Sequence, residues 1–181
     1  MFIRVDSWLK CAHTQRISPF LWFDDQAEKA ADFYVSVFKN SKVKGITHYT
    51  GEEPSGQKGS RPSPRLRRGK RVMTVSFELD GQEFVALNGG PRFKFTEAVS
   101  FVVNCETQEE IDYYWEKLSS GGGEEVQCGW LTDRYGLSWQ VVPTKWAEWG
   151  KDAAGMQRLM HALMQMKKID IAVLEHAYEQ K

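Results

Sequence analysis

Cysteine is scarce in this chain, and what there is forms no pattern. Cys11, Cys105 and Cys128 are odd in number and contain no Cys-x-x-Cys pair, so no disulfide framework is expected and the chain reads as a reduced, cytoplasmic protein. Long apolar runs are missing too. None approaches the roughly 18 residues of a membrane span, which takes the membrane out of the expected partners. Arg4, Asp6 and Lys10 interrupt the first 16 residues, so they do not form a signal peptide. Residues 1–16 read as a mobile N-terminal extension, with a transit peptide as the alternative because Arg4, Lys10 and Arg16 face one acid. Net charge of either sign is absent: 24 basic and 24 acidic residues cancel, leaving no global attraction to nucleic acid or anionic lipid. The four histidines, His13, His48, His161 and His176, are scattered without a His-x-x-x-His pair, so they suggest no metal site. His48, at a strand end, is the one to watch.

Aromatic residues are abundant instead. Seven Trp and ten Phe exceed what a small core needs, and some are expected to line a pocket. At 181 residues the chain is one domain, or two small modules sharing an interface, with enough length for a real core.

The chain also repeats itself. Ile17 to Phe38 reads strand, acidic turn, amphipathic helix, and Val99 to Leu118 reads the same way 81 positions later. Phe20 falls on Phe101, Glu28 on Glu109, Phe33 on Tyr114 and Tyr34 on Trp115. In the first copy Phe20–Phe23 is an apolar strand, and Asp25 with Glu28 has capping-box spacing. Ala27, Ala30, Ala31, Tyr34, Val37 and Phe38 recur at helical period. Val43–Tyr49 is a second strand. Met73, Val75, Phe77 and Leu79 alternate with polar residues, and Asp80-Gly81 turns the chain into a returning strand, Phe84–Leu87.

In the second copy Val99–Val103 is the strand and Thr107 with Glu110 the capping box. Ile111, Tyr114, Trp115 and Leu118 form the helical face, and Gly121-Gly122-Gly123 stops the helix. Val126–Leu131 and Leu137–Val142 are the last strands, joined at Asp133–Gly136, and Pro143 ends the sheet. Beyond Trp149 a stripe of Met156, Leu159, Met160, Leu163 and Met164 predicts a helix with a core or dimer face. Ile169, Ile171, Ala172, Leu174 and Ala177 predict a shorter one.

Residues 50–71 break the pattern with Gly51, Gly56, Gly59, Pro54, Pro62 and Pro64. From Lys58 to Arg71 stand seven basic residues and no acid. A solvated surface loop is the main reading. Nucleic acid is the lesser one, since no aromatic interleaves the charges to stack on bases.

Several motifs together resemble the vicinal oxygen chelate, or glyoxalase/bleomycin-resistance, superfamily, and within it the PhnB-like branch labelled 3-demethylubiquinone-9 3-methyltransferase. They are Ile17-Ser-Pro-Phe-Leu-Trp-Phe-Asp24, Phe33-Tyr34, Phe77-Glu-Leu-Asp-Gly-Gln-Glu-Phe84, Leu87-Asn-Gly-Gly-Pro91, Cys128-Gly-Trp-Leu131, Tyr135-Gly-Leu-Ser-Trp-Gln-Val-Val-Pro143 and, in the tail, Met164-Gln-Met-Lys-Lys-Ile-Asp-Ile171. The likeness runs over about residues 17 to 178. It implies an α+β fold of two tandem βαβββ modules forming a cupped mixed sheet, with C-terminal helices. The expected divisions are an extension at 1–16, a first module at 17–97 with the basic loop 50–71 inserted, a second module at 98–148 and a helical tail at 149–181.

Enzymes of that superfamily hold a divalent metal in the cup. Counting back 14 residues from Phe33 and Tyr114 gives Pro19 and Ser100, and counting four past Gly81 and Gly136 gives Val85 and Gln140. Proline and valine side chains cannot ligate, and a hydroxyl with a neutral amide holds divalent metals weakly. The expectation is therefore no metal and no cofactor. Three functions are left open. The first is a small-molecule-binding protein with Phe20, Trp22, Met73, Phe95, Trp130 and Trp139 as walls and Asn88, Ser100, Cys128 and Gln140 as further lining residues. The second is a metal-independent lyase or isomerase drawing on Cys128, Gln140 or Glu83. The third is a structural homodimer with a vestigial cup. A homodimer is the expected assembly in each case. Methyl transfer, the branch's label, lacks a Gly-rich turn leading from a strand into a helix.

Overall fold

The computed structural model describes residues 15–50 and 71–180. The expected N-terminal extension up to residue 14 and the basic loop at 51–70 lie outside them. The chain divides into two compact units, Met1–Gly90 and Pro91–Lys181. The linker from Pro91 and the helical tail both belong to the second.

The first unit runs β1 (Phe20–Phe23), α1 (Ala27–Val37), β2 (Lys42–His48), β3 (Val72–Leu79) and β4 (Gln82–Asn88), with sheet order β1-β4-β3-β2. β1 pairs parallel to β4, with Phe20 opposite Val85 and Phe23 opposite Asn88, and the other pairs are antiparallel. One sheet face packs on α1. Tyr34 stacks on Phe77 at 6.2 Å between ring centroids and Phe77 on Phe84 at 5.4 Å. Ala27, Ala30 and Ala31 are fully buried, so the helix approaches closely through side chains too small to hold it off. Asp80 (φ 44°) and Gly81 (φ 87°) form the expected two-residue hairpin turn.

The second unit repeats this path: β5 (Ser100–Cys105), α2 (Gln108–Ser119), β6 (Glu124–Glu125), β7 (Trp130–Thr132) and β8 (Ser138–Pro143), in the order β5-β8-β7-β6, with β5 parallel to β8. α3 (Trp146–Trp149), α4 (Ala153–Leu163) and α5 (Ile171–Glu179) follow. The α+β fold of two βαβββ modules with C-terminal helices is thus the observed one.

Four sequence expectations change. The Asp25–Glu28 capping box does not form. Gln26 occupies the N-cap with no side-chain bond, and the Ala27 N–H donates to Asn88 Oδ1 at 2.8 Å. Asn88 Nδ2 donates in turn to the Val72 carbonyl at 3.1 Å, so one buried amide at the end of β4 ties α1 to β3. In the second module Thr107 does cap α2 by accepting from Glu110 N, yet Glu110 Oε2 accepts from Glu106 N and not from Thr107 N.

The fixed offset of the repeat is the second change. Buried helix residues keep it, as with Tyr34 and Trp115 or Val37 and Leu118. The first strands do not. Leu21 pairs with Ala86 whereas Phe101 pairs with Trp139. Residues 24–26 separate β1 from α1, and only 106–107 separate β5 from α2. One extra residue in the first turn therefore shifts β1 by one position against β5.

Third, Val126–Leu131 is not one strand. Cys128 lies in the left-handed region (φ 60°) with Gly129 beside it (φ 82°). Their N–H groups donate to the carbonyls of Met166 and Lys167, both at 2.8 Å. The tail takes backbone donors that a sheet neighbour would otherwise have used.

Last, the methionine stripe is split. Leu159 and Leu163 are buried with Gly155, whereas Met160 and Met164 are exposed, and of the second stripe Ile169 and Leu174 are buried. Gly155 is needed for close approach: a Cβ there would lie 2.7 Å from the Tyr178 ring of α5. Among the described residues no helix is long and apolar enough to cross a membrane.

Replacing Asn88 by alanine leaves the Ala27 N–H and the Val72 carbonyl without partners in a buried setting. The expected loss is about 2–4 kcal/mol of unfolding free energy, read from the midpoint and slope of urea denaturation.

Candidate functional site

Strand alternation gives each sheet a helix-packed face and an open face. In the first module Phe77, Phe84, Ala86 and Leu21 turn to α1. Phe20, Trp22, Val85, Leu87, Ser76 and Glu83 share the open face through the pairs Phe20–Val85, Trp22–Leu87 and Ser76–Val85. Phe20 is 60% exposed. Trp22 lies over Gly89, where a Cβ would sit 2.3 Å from the indole, and donates through Nε1 to the Gly90 carbonyl at 2.8 Å. The Leu87-Asn-Gly-Gly motif thus includes the one residue that lets this indole lie flat on the chain. Lys44, bulged out of β2 between Val43 and Gly45, reaches Glu83 and stands 3.8 Å from Glu78. Its hydrogen bond to Glu83 holds the ammonium above its ordinary pKa.

In the second module Glu125, Leu131 and Trp139 mark the α2 face. The Trp115 indole of α2 donates to Glu125 Oε1 at 2.8 Å, and Leu131 pairs with both Glu125 and Trp139. Ser100, Val102, Trp130, Ser138 and Gln140 share the open face. There Gln140 Nε2 donates to Ser100 Oγ at 2.8 Å, Trp130 stands directly opposite Gln140, and Val102 is 51% exposed.

The residues named from the sequence therefore separate. Phe20, Trp22, Ser100, Trp130 and Gln140 stand on open faces. Asn88 does not: it faces α1, buried, with both ends of its amide engaged. Trp139 also turns inward. It is 3% exposed and donates from Nε1 to Asp133 Oδ2 at 2.9 Å. Asp133 is not among the candidates the sequence suggests, yet its buried carboxylate organises the β7–β8 turn, with Oδ1 accepting from Tyr135 N and Leu137 N. Cys128 sits in the left-handed turn with Sγ 3.6 Å from Met164 Sδ and 3.7 Å from the Leu163 carbonyl, against the tail. Met73 is half-buried at the start of β3, and Phe95 half-buried in the linker before β5. A groove of about 660 Å³ lies on the tail, where Arg158, Met160, His161, Met164, Ala177 and Gln180 line it.

The resemblance stated from the sequence implies a divalent metal, and the donor set can be tested against one. Parallel pairing brings the counted positions together in pairs: Val85 N donates to the Pro19 carbonyl at 3.0 Å, and Gln140 bonds Ser100. The extra residue before α1 makes Ser18, one earlier than the counted Pro19, the counterpart of Ser100. Ser18, Val85, Ser100 and Gln140 supply neither carboxylate nor imidazole. Among the described residues no three His, Cys, Asp or Glu stand close enough to hold a metal ion. The residues do not fit the group.

Cys105 ends β5 on the helix side, fully buried, its thiol pushed up to about 12 by burial and then by the Glu110 charge. It stays protonated at neutral pH and is no nucleophile. Because its folded pKa is raised, the unfolded chain releases this proton first, so its stabilising contribution is whole below about pH 9 and is lost as pH rises towards 12. Cys105→Ala is expected to flatten that alkaline decline in urea titrations. Separately, Trp139→Phe is expected to cost about 1–3 kcal/mol by leaving Asp133 short of a donor, whereas Trp130→Phe stays within about 1 kcal/mol. Parallel denaturation curves check both.

Comparison with known proteins agrees with this architecture. Residues 15–142 match the family described as 3-demethylubiquinone-9 3-methyltransferase, a match that stops short of the helical tail. A Bacillus cereus PhnB protein given the same description is 35% identical, with 72% of this chain and 100% of that one covered at a TM-score of 0.58. A Pseudomonas aeruginosa protein shares the fold at 18% identity and a TM-score of 0.52, over 70% of this chain and 96% of its own. No curated protein matches. A match across most of the chain, joined to a fully covered PhnB relative, settles descent: this chain belongs to the 3-demethylubiquinone-9 3-methyltransferase family.

Proposed function

We propose that this chain is a small-molecule-binding protein of the glyoxalase-like fold that works without a metal, with its ligand held on the open face of the second sheet. The observation that carries this is the Ser100–Gln140 pair at 2.8 Å. It puts a neutral hydroxyl and amide, beside Trp130, where the superfamily's ligands would stand. Such groups orient a polar ligand, and a half-buried indole and an exposed aliphatic side chain supply its apolar wall. Phe20 and Trp22 play the apolar part on the first sheet. The assembly is a homodimer, supported by the exposed Met160, Met164 and Val173 on the tail helices, and the compartment is the cytoplasm.

A metal-independent lyase or isomerase is the second reading. Glu83 and Glu78 flank Lys44 on the open face of the first sheet, which gives that face an acid–base set. Methyl transfer has less support. A methyl donor is bound by a glycine turn entering a helix, and here Gly121–Gly123 closes the exit of α2. Gly123 N donates to the Ser119 carbonyl, and a Cβ at Gly121 would meet the Arg134 guanidinium at 2.5 Å.

Native mass spectrometry of the freshly purified protein, set against its denatured mass, tests the proposal. A bound organic mass that falls in occupancy in Gln140→Leu and Trp130→Ala is the expected result. A stoichiometric divalent ion would overturn it and restore a metal-dependent enzyme.

A further inference from the structure

The hydroxyl of Ser138 is the one buried side-chain polar atom among the described residues with no hydrogen-bond partner. The residue is 1% exposed. Burying a hydroxyl unpaired costs about 1–3 kcal/mol, and nothing in the local fold requires one: alanine suits the backbone of β8 equally well. Its neighbours are informative. Ser138 pairs with Ser100 across the parallel β5–β8 ladder and with Thr132 across β7, and Gln140 follows two positions on along the same face. Ser100 Oγ accepts from Gln140, which leaves the Ser100 O–H and the Gln140 Oε1 and second amide hydrogen for something else. Three adjacent side chains therefore present unused donors and acceptors, and no lysine, arginine, histidine or carboxylate stands among them on these pairs. Without a positive charge the cluster has nothing with which to offset desolvation of an anion, and without a carboxylate or imidazole it does not hold a metal.

We propose that Ser138, Ser100 and Gln140 form a cradle for a neutral head group that both donates and accepts hydrogen bonds, a carboxamide or a hydroxy-carbonyl, on a ligand whose apolar or aromatic body lies against Trp130. This rests on the binding function proposed above and adds the class of ligand. Ser138 is then a specificity residue kept at a cost to stability, because its hydroxyl finds its partner only in the complex.

Benzamide and benzoate, which match in size and differ in charge, are suitable probes. Each is titrated into ¹⁵N-labelled full-length protein while the Gln140 side-chain amide and Trp130 indole signals are followed. Benzamide is expected to shift both and benzoate to bind at least tenfold more weakly. Ser138→Ala is expected to weaken benzamide about tenfold, about 1.4 kcal/mol, with its urea midpoint unchanged or raised. Equal shifts by both probes that Ser138→Ala does not alter would overturn the cradle while leaving a ligand-binding face. No shift at either signal overturns the cradle as well, even where native mass spectrometry finds a bound organic mass. A Ser138→Ala protein that is destabilised and binds normally assigns the hydroxyl to structure and also rejects the proposal.

Discussion

Each module depends on the parallel pairing of its first strand with its last. β1 lies on β4 and β5 on β8, while the helix carries the chain to the opposite edge of the sheet, β2 or β6, and two antiparallel strands bring it back. Parallel neighbours cannot be joined by a tight turn, so Phe20 reaches Val85 and Ser100 reaches Ser138 only by way of a helix and the two strands that follow it. The helix must pack on the sheet to make that connection, and the packing takes one sheet face out of play. What remains for the proposed recognition is the other face, where the edge strand of each sheet lies beside the last strand of its module. The same pairing leaves β2 at the far edge, exposed along its whole length.

The two modules solve one local problem in different ways. The crossover helix begins where the first strand ends, and its leading N–H groups need acceptors. In the second module the turn is short enough for Thr107 to act as its own N-cap. In the first, one added residue leaves Asp24 and Asp25 ahead of the capping position, which Gln26 occupies, and Asn88 reaches across from β4 to supply the acceptor. That substitution makes α1 dependent on tertiary structure already being in place. It also engages an amide that the sequence alone would assign to a ligand.

The longer elements were legible because Val72–Leu79 alternates and α1 and α2 repeat an apolar face over about three turns, whereas the two-residue β6, the three-residue β7 and the four-residue α3 are too short to carry a period. Facing was not. The side-chain period of a strand is two, so a shift of one residue exchanges wall for core, and only the register shows that Trp130 looks outward while Trp139 turns to Asp133. Ungapped counting failed at Pro19 because a single extra residue before α1 moves the equivalent position to Ser18. The break at Cys128 had no local signal beyond the following glycine, because its acceptors, Met166 and Lys167, come from the tail. Ser138 was readable in principle. It lies two residues before Gln140, on the same face, but a serine in a strand draws no attention until its burial and missing partner are known.

Duplication ordinarily yields two equivalent sites, and here the copies have diverged in chemistry while keeping their topology. The open face of the first sheet is aromatic and aliphatic where β1 meets β4, at Phe20, Trp22, Val85 and Leu87, with its charges held apart in the Lys44 cluster. The open face of the second is hydroxyl and amide where β5 meets β8. Ser18 keeps the hydroxyl of Ser100 just ahead of β1, but the position that answers Gln140 is a valine. Val85 and Gln140 follow their hairpin glycines by the same interval, so the contrast between them is one of side chain alone, and only the second module can close the hydroxyl–amide pair. The buried, unpartnered hydroxyl of Ser138 on β8 bears on whether that face is vestigial, since its removal would be expected to stabilise the fold. Fold and family fix the scaffold. The proposed cradle would account for the cost of keeping Ser138.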